Sequence, residues 1–427
     1  MKRRRVLVLF PTAWDEAQFA GLPSAVQARY ELVYDSPADD EVRWDFDVLA
    51  YLDARERQWR GRLDGVFSSS DYPGAIAAAA LAYALGLRGA PPAAVLRAGH
   101  KFYAREAQRT VVPELVPRYR LFDPADERTW PPESDFPCFV KPVKASFSLF
   151  ARHIADRTAL ATFAADPALA EFRTYYAALF ERLAARYARF EHGAHLFLAE
   201  EVLRGEQVTV ESWVRAGTRG CLGIVDTSFH PGTQSFASFD YPSRVAPALH
   251  ARLASAARTV ALALGLDHTL FNVELFHDPV SERIGLIEIN PRLCGQFGDL
   301  YAKVDGVSGF EFALALACGE DLPAPRAPGA FAAAASIPLR LFRSAYVARA
   351  PDANTRRALE LAYPSTLLWS DVGLGDELRV DPTVEDGVSV RYGVVNFGGE
   401  SRELLQRARP DIEARAGFEF APLDDRR

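Results

Sequence analysis

The chain has 427 residues, of which 49% are hydrophobic and 25% charged, with a formal net charge of −7. A length of this order divides into roughly two to four domains or subdomains, and the composition is that of a soluble globular protein. The small acidic excess argues against a nucleic-acid partner, which would favour a basic surface. Cys138, Cys221, Cys294 and Cys318 are far apart, with neither a CxxC pair nor a zinc-like cluster, so reduced thiols and a cytoplasmic location are expected.

The N-terminal run Met1-Lys-Arg-Arg-Arg5, followed by apolar residues 6–10, resembles the start of a signal peptide. The apolar run is too short for one, and Pro11, Asp15 and Glu16 interrupt it, so a buried first strand is expected. No stretch reaches the ~18 apolar residues that span a bilayer, so no membrane role is expected. Beyond residue 10 the pattern predicts a helix over 16–30, strands over 31–34 and 64–68, a turn at 70–74 and an Ala-rich helix over 75–85 ended by Gly86. This βα alternation implies a parallel sheet. The turn after the first strand, 11–15, has no GxGxxG, which argues against NAD or FAD.

Pro91-Pro92 marks a boundary. Residues 136–142 read as a strand and 159–190 as mostly helical. Segments 196–199, 208–213 and 220–224 read as strands of an antiparallel sheet, 246–264 as a helix, and 270–276 with 284–289 as two short strands. Residues 324–335, rich in Ala and Pro, read as a linker, and the last ~90 residues as a small mixed α/β unit.

Side chains alternate between the faces of a strand. In Leu286-Ile-Glu-Ile-Asn-Pro-Arg292, Glu288 and Asn290 therefore share one face; in Phe271-Asn-Val-Glu-Leu-Phe276, Asn272 and Glu274 do the same. Two such strands side by side bring Glu274, Glu288 and Asn290 together as an all-oxygen set suited to Mg2+. Taken singly, each strand is equally well a solvated polar face. Arg292 follows directly, where a planar guanidinium could contact a phosphoryl group. Lys141 ends an apolar strand and Lys101 opens a helix; either could bind phosphate, although a lone lysine is usually solvated. Gln207, Thr209 and Glu211 share a face beyond the Glu200-Glu201-Val-Leu203 turn, which could equally belong to an ordinary acidic hairpin.

Taken in order, these segments resemble the ATP-grasp superfamily, in particular its carboxylate–amine ligases. The likeness is to amino-acid ligases that make dipeptides and, more loosely, to D-alanine–D-alanine ligase. It covers about residues 5–320 and, more weakly, the C-terminal unit through 387–395. Its most specific element is 286–292 with Glu274 before it; Gly86-Leu-Arg-Gly89 followed by Lys101 and Arg105 matches the family's opening segment.

The resemblance implies an α/β ATP-grasp fold. An N-terminal parallel α/β (pre-ATP-grasp) domain would span 1–95, a small ATP-grasp subdomain with a helical insertion 96–200, a large subdomain with the Mg-ATP site 201–325, and a small C-terminal α/β domain 326–427. It implies ATP and Mg2+, or Mn2+ in its place, as cofactors. Lys101 and Lys141 would hold the phosphates, with Ser146 donating from the loop after them. Glu200, Glu201 and Leu203 would form the adenine hinge, the last two through their backbone. Gln207 would face the ribose where relatives commonly have Glu, and Glu274, Glu288 and Asn290 would ligate the metal. Arg292, with Lys141, would serve the chemistry by steadying an acyl phosphate.

Loop 143–148 has no glycine, unlike many relatives. The implied partners are small-molecule carboxylate and amine substrates, amino acids foremost, and a homodimer is compatible with the resemblance. Residues 226–243, long and aromatic-rich, are the expected specificity element, with Phe229, His230, Phe236, Tyr241 and Ser243, besides Glu211, as candidates for substrate contact. The competing expectations are another ATP-grasp chemistry, such as a carboxylase, and a nucleotide-binding regulatory protein without turnover.

Overall fold

The computed structural model describes residues 3–37, 46–324, 328–384 and 387–423. The first strand, Arg4–Leu9, carries four consecutive apolar residues and lies at the centre of a three-stranded parallel sheet, between Tyr30–Asp35 and Gly65–Phe67. Both faces are covered, as parallel sheets require. Leu7 and Leu9 point into a core shared with the Ala-rich helix Gly74–Ala84. Val6 and Val8 point the other way, onto Phe310, Ala313 and Leu314 of helix Gly309–Cys318. A helix that follows the candidate metal strands in sequence thus closes the N-terminal sheet.

The helix expected over 16–30 is two pieces, Ala13–Ala20 and Ser24–Gln27. Gly21 ends the first and Pro23, without an N–H, precedes the second. A capping box between Thr12 and Asp15 starts the first piece three residues earlier than expected. Helix Val48–Trp59, N-capped by Asp47, has no counterpart among the expected elements.

A four-stranded antiparallel sheet follows, ordered Tyr119–Phe122, Phe197–Glu201, Cys138–Pro142, Arg152–Ile154. The helical stretch expected over 159–190 is broken at Asp166-Pro167 into Arg157–Ala164 and a second run that includes a π-helical turn, Phe172–Ala177.

The large sheet has eight strands in the order Ile284–Asn290, Thr269–His277, Glu206–Arg215, Thr218–Phe229, Phe236–Tyr241, Ala333–Leu341, Val390–Gly399, Leu367–Ser370. Residues 226–243 are mostly the facing ends of two paired strands joined by a short turn. One expectation is corrected. Residues 324–335 are not a linker throughout, because Ala333 begins a buried strand; 325–327 lie outside the described residues. The alanines there are small enough to let helices Gly298–Asp305 and Arg402–Arg415 pack against the strand. The sheet also runs across the boundary expected at residue 326. A three-stranded sheet, Glu377–Leu378, Ala345–Arg349, Glu419–Ala421, completes the C-terminal part. Among the described residues no helix is long and apolar enough to cross a membrane.

Gly205 lies in the turn that leads from the small sheet into the large one, with φ +118°, and a Cβ there would sit 2.2 Å from the carbonyl oxygen of His277. Gly205→Ala should lower the unfolding free energy by about 2–3 kcal/mol. Denaturant titration measures this, and an unchanged midpoint would contradict it.

Candidate active site

The edge strand of the large sheet and its neighbour, Ile284–Asn290 and Thr269–His277, set the geometry. Their register pairs Glu274 with Glu288 and Asn272 with Asn290, directly across the ladder. The Asn290 side-chain amide donates to Glu274 Oε1 and Glu288 Oε1, 3.3 Å each, and to Asn272 Oδ1 at 3.1 Å. Like charges in directly opposed positions repel. Burial, and then the neighbouring Glu288, push the Glu274 carboxyl up to about 8. Burial acts on Glu288 in the same direction, but the charges of Lys101 and Lys141 outweigh it and hold that carboxyl below its ordinary value. At neutral pH the pair therefore keeps a proton on Glu274, in the place a bound cation would take. Two carboxylates and an amide in this state suit Mg2+, which takes few protein oxygens and fills its shell with water and phosphate. Among the described residues no group of three His, Cys, Asp or Glu offers an alternative metal site.

The lysines come from the small sheet and the helix beside it. Lys101 is the first residue of helix Lys101–Val111, and its Nζ lies 3.2 Å from Glu288 and donates to the Ala145 carbonyl at 3.1 Å. Lys141, on strand Cys138–Pro142, reaches Glu200 at 2.7 Å and the Ile287 carbonyl at 3.0 Å. Burial lowers its ammonium to about 8, against the pull of Glu200. Arg105, one turn along the helix from Lys101 and 1% exposed, grips both oxygens of Glu200 at 2.7 and 3.1 Å. It also donates to the carbonyls of Leu286 and Ile287. Glu200 thus neutralises two buried cations, a role for its carboxylate that the hinge assignment does not include.

Glu201 faces outward, to Arg118 at 3.0 Å and to Arg283. The cleft between the sheets is lined by Lys101, Lys141, Glu200, Glu201, Leu203, Gln207, Glu274 and Glu288, with Phe139, Phe229, Phe236 and Phe276 as its aromatic walls. Gln207 donates to Glu274 at 3.0 Å.

Arg292 lies just past the strand end. Its Nε is 3.5 Å from Asp71 of the N-terminal sheet's last loop. Its own carbonyl accepts from Asn272 at 3.3 Å, and two residues on the N–H of Cys294 donates to Glu211 at 3.2 Å. Glu211 is fully buried, with its carboxyl pushed up to about 8 by burial. It braces the turn that carries Arg292 and is not among the residues that line the cleft. Tyr241 and Ser243 also have other partners: the Tyr241 hydroxyl donates to Asp305 at 2.5 Å with its ring on Tyr301, and Ser243 donates to Asp226. His230 packs edge-on against Phe342. Of that set Phe229 lines the cleft, with Phe236 stacked on it at 5.3 Å between ring centroids. Ser146 bonds to Asp71 and accepts from the Tyr176 hydroxyl at 3.0 Å.

The sequence reading passed over Asp71 as part of a turn and gave Arg105 no role. The available signal was the position of Asp71, just beyond the C-terminal end of a parallel strand, where α/β folds place their sites.

Residues 134–299 match the ATP-grasp domain family. The chain carries an ATP-grasp domain. Lys141, Glu200, Gln207, Glu274, Glu288, Asn290 and Arg292 fall inside it, whereas Asp71, Lys101 and Arg105 lie before it. No match to the chain was found among curated protein sequences. Among solved structures, an L-amino acid ligase from Bacillus licheniformis is similar over 99% of this chain and 100% of its own, with a TM-score of 0.72 and 14% identity. The biotin carboxylase domain of a Hydrogenobacter thermophilus 2-oxoglutarate carboxylase, in complex with MgADP, ADP and bicarbonate, covers 99% of this chain and 91% of its own, with a TM-score of 0.65 and 12% identity. An N5-carboxyaminoimidazole synthase from Aspergillus clavatus covers 97% and 99%, with a TM-score of 0.63 and 14% identity. At these identities the likeness is one of fold: a mixed α/β ATP-grasp architecture with a parallel N-terminal sheet.

A divalent cation at the acid pair requires Glu274 to be charged. Its raised pKa means that the proton is held below about pH 8 and must leave when the cation binds. Affinity for Mg2+ should therefore rise up to about tenfold per pH unit below that value and level off above it. Calorimetry in buffers of different ionisation heat should show close to one proton released at neutral pH. An affinity independent of pH with no proton release would contradict the assignment.

Proposed function

We propose that the chain is an ATP-dependent, ADP-forming carboxylate–amine ligase that makes an amide or peptide bond, with amino acids as the foremost substrates. The observation that carries this reading is the convergence of an acid pair with buried Lys141 and half-buried Lys101 in one cleft, with Arg292 just past the end of the same strand. It is a charge arrangement for the terminal phosphates of a nucleotide. The whole-length likeness to an L-amino acid ligase supports an amine as the acceptor.

In this reading the carbonyl of Glu201 and the N–H of Leu203 meet the adenine, Gln207 the ribose, and Lys101 and Lys141 the phosphates. Glu274, Glu288 and Asn290 hold Mg2+, which neutralises phosphate charge when bound. A carboxylate oxygen of the first substrate attacks the γ-phosphorus, the bond to the β-γ bridging oxygen breaks, and ADP leaves with that electron pair. The amine nitrogen then attacks the acyl carbon, phosphate departs, and the nitrogen gives up a proton. The protein supplies no covalent nucleophile. It positions the reactants and offsets charge, and Arg292 faces the charge that develops on the transferred group. Carboxylation of an amine by way of carboxyphosphate uses the same first half. The fold likeness to carboxylases makes it the competing reading.

Glu288→Gln should lower kcat at least about 100-fold while the protein stays folded, since it removes a ligand charge. With hydroxylamine as the amine, the wild-type protein should form a hydroxamate of its carboxylate substrate in proportion to ADP, and Arg292→Ala should lose it. AMP as the nucleotide product would sink the ligase reading; bicarbonate as the only effective carboxylate would select the carboxylase.

A further inference from the structure

Segment 143–148 follows Lys141 and contains no glycine, yet it lies at the mouth of the cleft. Its course is set by contacts from three other parts of the chain. Lys101 holds it through the Val143 and Ala145 carbonyls, at 2.6 and 3.1 Å. Tyr176, on the π-helical turn of the insertion, donates to Ser146. Asp71, from the N-terminal sheet, accepts from the Ser146 hydroxyl and lies 3.6 Å from Lys144 Nζ through the same oxygen. The other oxygen of Asp71 faces Arg292 Nε at 3.5 Å. The Asp71 side chain is 12% exposed, Lys144 7% and Arg292 18%. The Tyr72 ring lies 4.8 Å beneath the Lys144 ammonium, and the Tyr72 hydroxyl donates to the Tyr176 carbonyl at 3.1 Å, which ties the same elements together again.

One carboxylate thus joins two segments about 150 residues apart in sequence, the loop beside the phosphate lysines and the turn that carries Arg292. We propose that Asp71 is a positioning residue for phosphoryl transfer, which sets the plane of the Arg292 guanidinium through Nε and tethers segment 143–148 through Ser146 and Lys144. The proposal rests on the ligase reading for the name of the step, but not for the tether. An ion pair made on the Nε side, at 3.5 Å, biases the guanidinium plane and leaves the two Nη groups for the oxygens of a phosphoryl group. Burial alone would raise the Asp71 carboxyl. The charges of Lys144 and Arg292 and the Ser146 hydrogen bond outweigh it and keep Asp71 anionic, below the usual carboxylate range.

The chemistry gives a split that a merely structural role does not. Asp71→Asn leaves buried Lys144 and half-buried Arg292 without their anion. Nucleotide phosphates can neutralise them, so ground-state nucleotide binding is maintained or tightened. The orientation of Arg292 is lost, so the chemical step slows.

The test is Asp71→Asn in the full chain. Affinity for a non-hydrolysable ATP analogue with Mg2+ should stay within about threefold of wild type or tighten, while kcat for ADP release falls about 100-fold. Combining it with Arg292→Lys should cost little more than either change alone, because both remove the same orientation. In the nucleotide-free protein, trypsin should cut after Lys144 about tenfold faster in Asp71→Asn than in wild type. If Asp71→Asn does not fold, Ser146→Ala combined with Tyr176→Phe loosens the same segment without a buried-charge change and should speed the same cut. Equal losses in kcat and analogue affinity, additive effects with Arg292→Lys, or an unchanged cleavage rate would each overturn the proposal. Should the wild-type protein form no ADP with any substrate pair, the ligase reading fails. Analogue affinity and the trypsin rate would still decide whether Asp71 tethers the segment.

Discussion

Two half-buried carboxylates that face each other across hydrogen-bonded strands are the constraint on which the site depends. Glu274 and Glu288 cannot share that position fully charged without a compensating cation. The surrounding structure supplies part of the compensation. Lys101 reaches Glu288 from a helix start, and Lys141 approaches from the small sheet. What remains is a proton held on Glu274, in a cleft between two sheets, in the place a divalent ion would take. A polyphosphate can approach it from the open side.

A second buried network keeps the two sheets in relation. Arg105, Glu200 and Lys141 come from a helix and two strands of the small sheet, yet Arg105 and Lys141 also donate to the carbonyls of Leu286 and Ile287 on the edge of the large one. Buried ion pairs seldom add much net stability, because desolvation offsets the attraction. Their effect here is geometric. They fix the lysine beside the acid pair and hold the strand that carries Glu288 against the small sheet. The turn after that strand is braced by Asn272 and Glu211, which set the backbone around Arg292.

The acid pair was legible in the sequence because strand periodicity is two: a one-residue spacing between Glu288 and Asn290, and between Asn272 and Glu274, is enough to place each pair on one face. Register was not legible, and register is what opposes Glu274 to Glu288. The resemblance of 286–292 and its flanking segments named the fold, and the match over 134–299 agrees with it. Residues 324–335 read as a linker because alanine and proline signal loops, whereas in the fold the alanines 333–335 begin a strand and fill a narrow space between sheet and helices. The strand ends over 226–243 were not legible as strands, because Pro231-Gly232 and scattered serines mask an alternating pattern. Arg105 with Glu200, and Asp71 with Arg292, are separated by 95 and 221 residues, so neither partnership leaves any periodic trace. The partners of Tyr241 and Ser243, members of the stretch 226–243, were not legible either: their hydroxyls bond to the half-buried carboxylates of Asp305 and Asp226.

The account stands on a γ-phosphoryl group being transferred to a carboxylate oxygen in this cleft. The most direct measurement is isotope transfer. With a carboxylate substrate labelled with 18O in both oxygens, turnover in the presence of ATP and an amine should deliver one 18O atom to each inorganic phosphate released, with the other retained in the amide. Phosphate without label, while ADP and amide accumulate, would contradict an acyl phosphate and with it the assignment of the site.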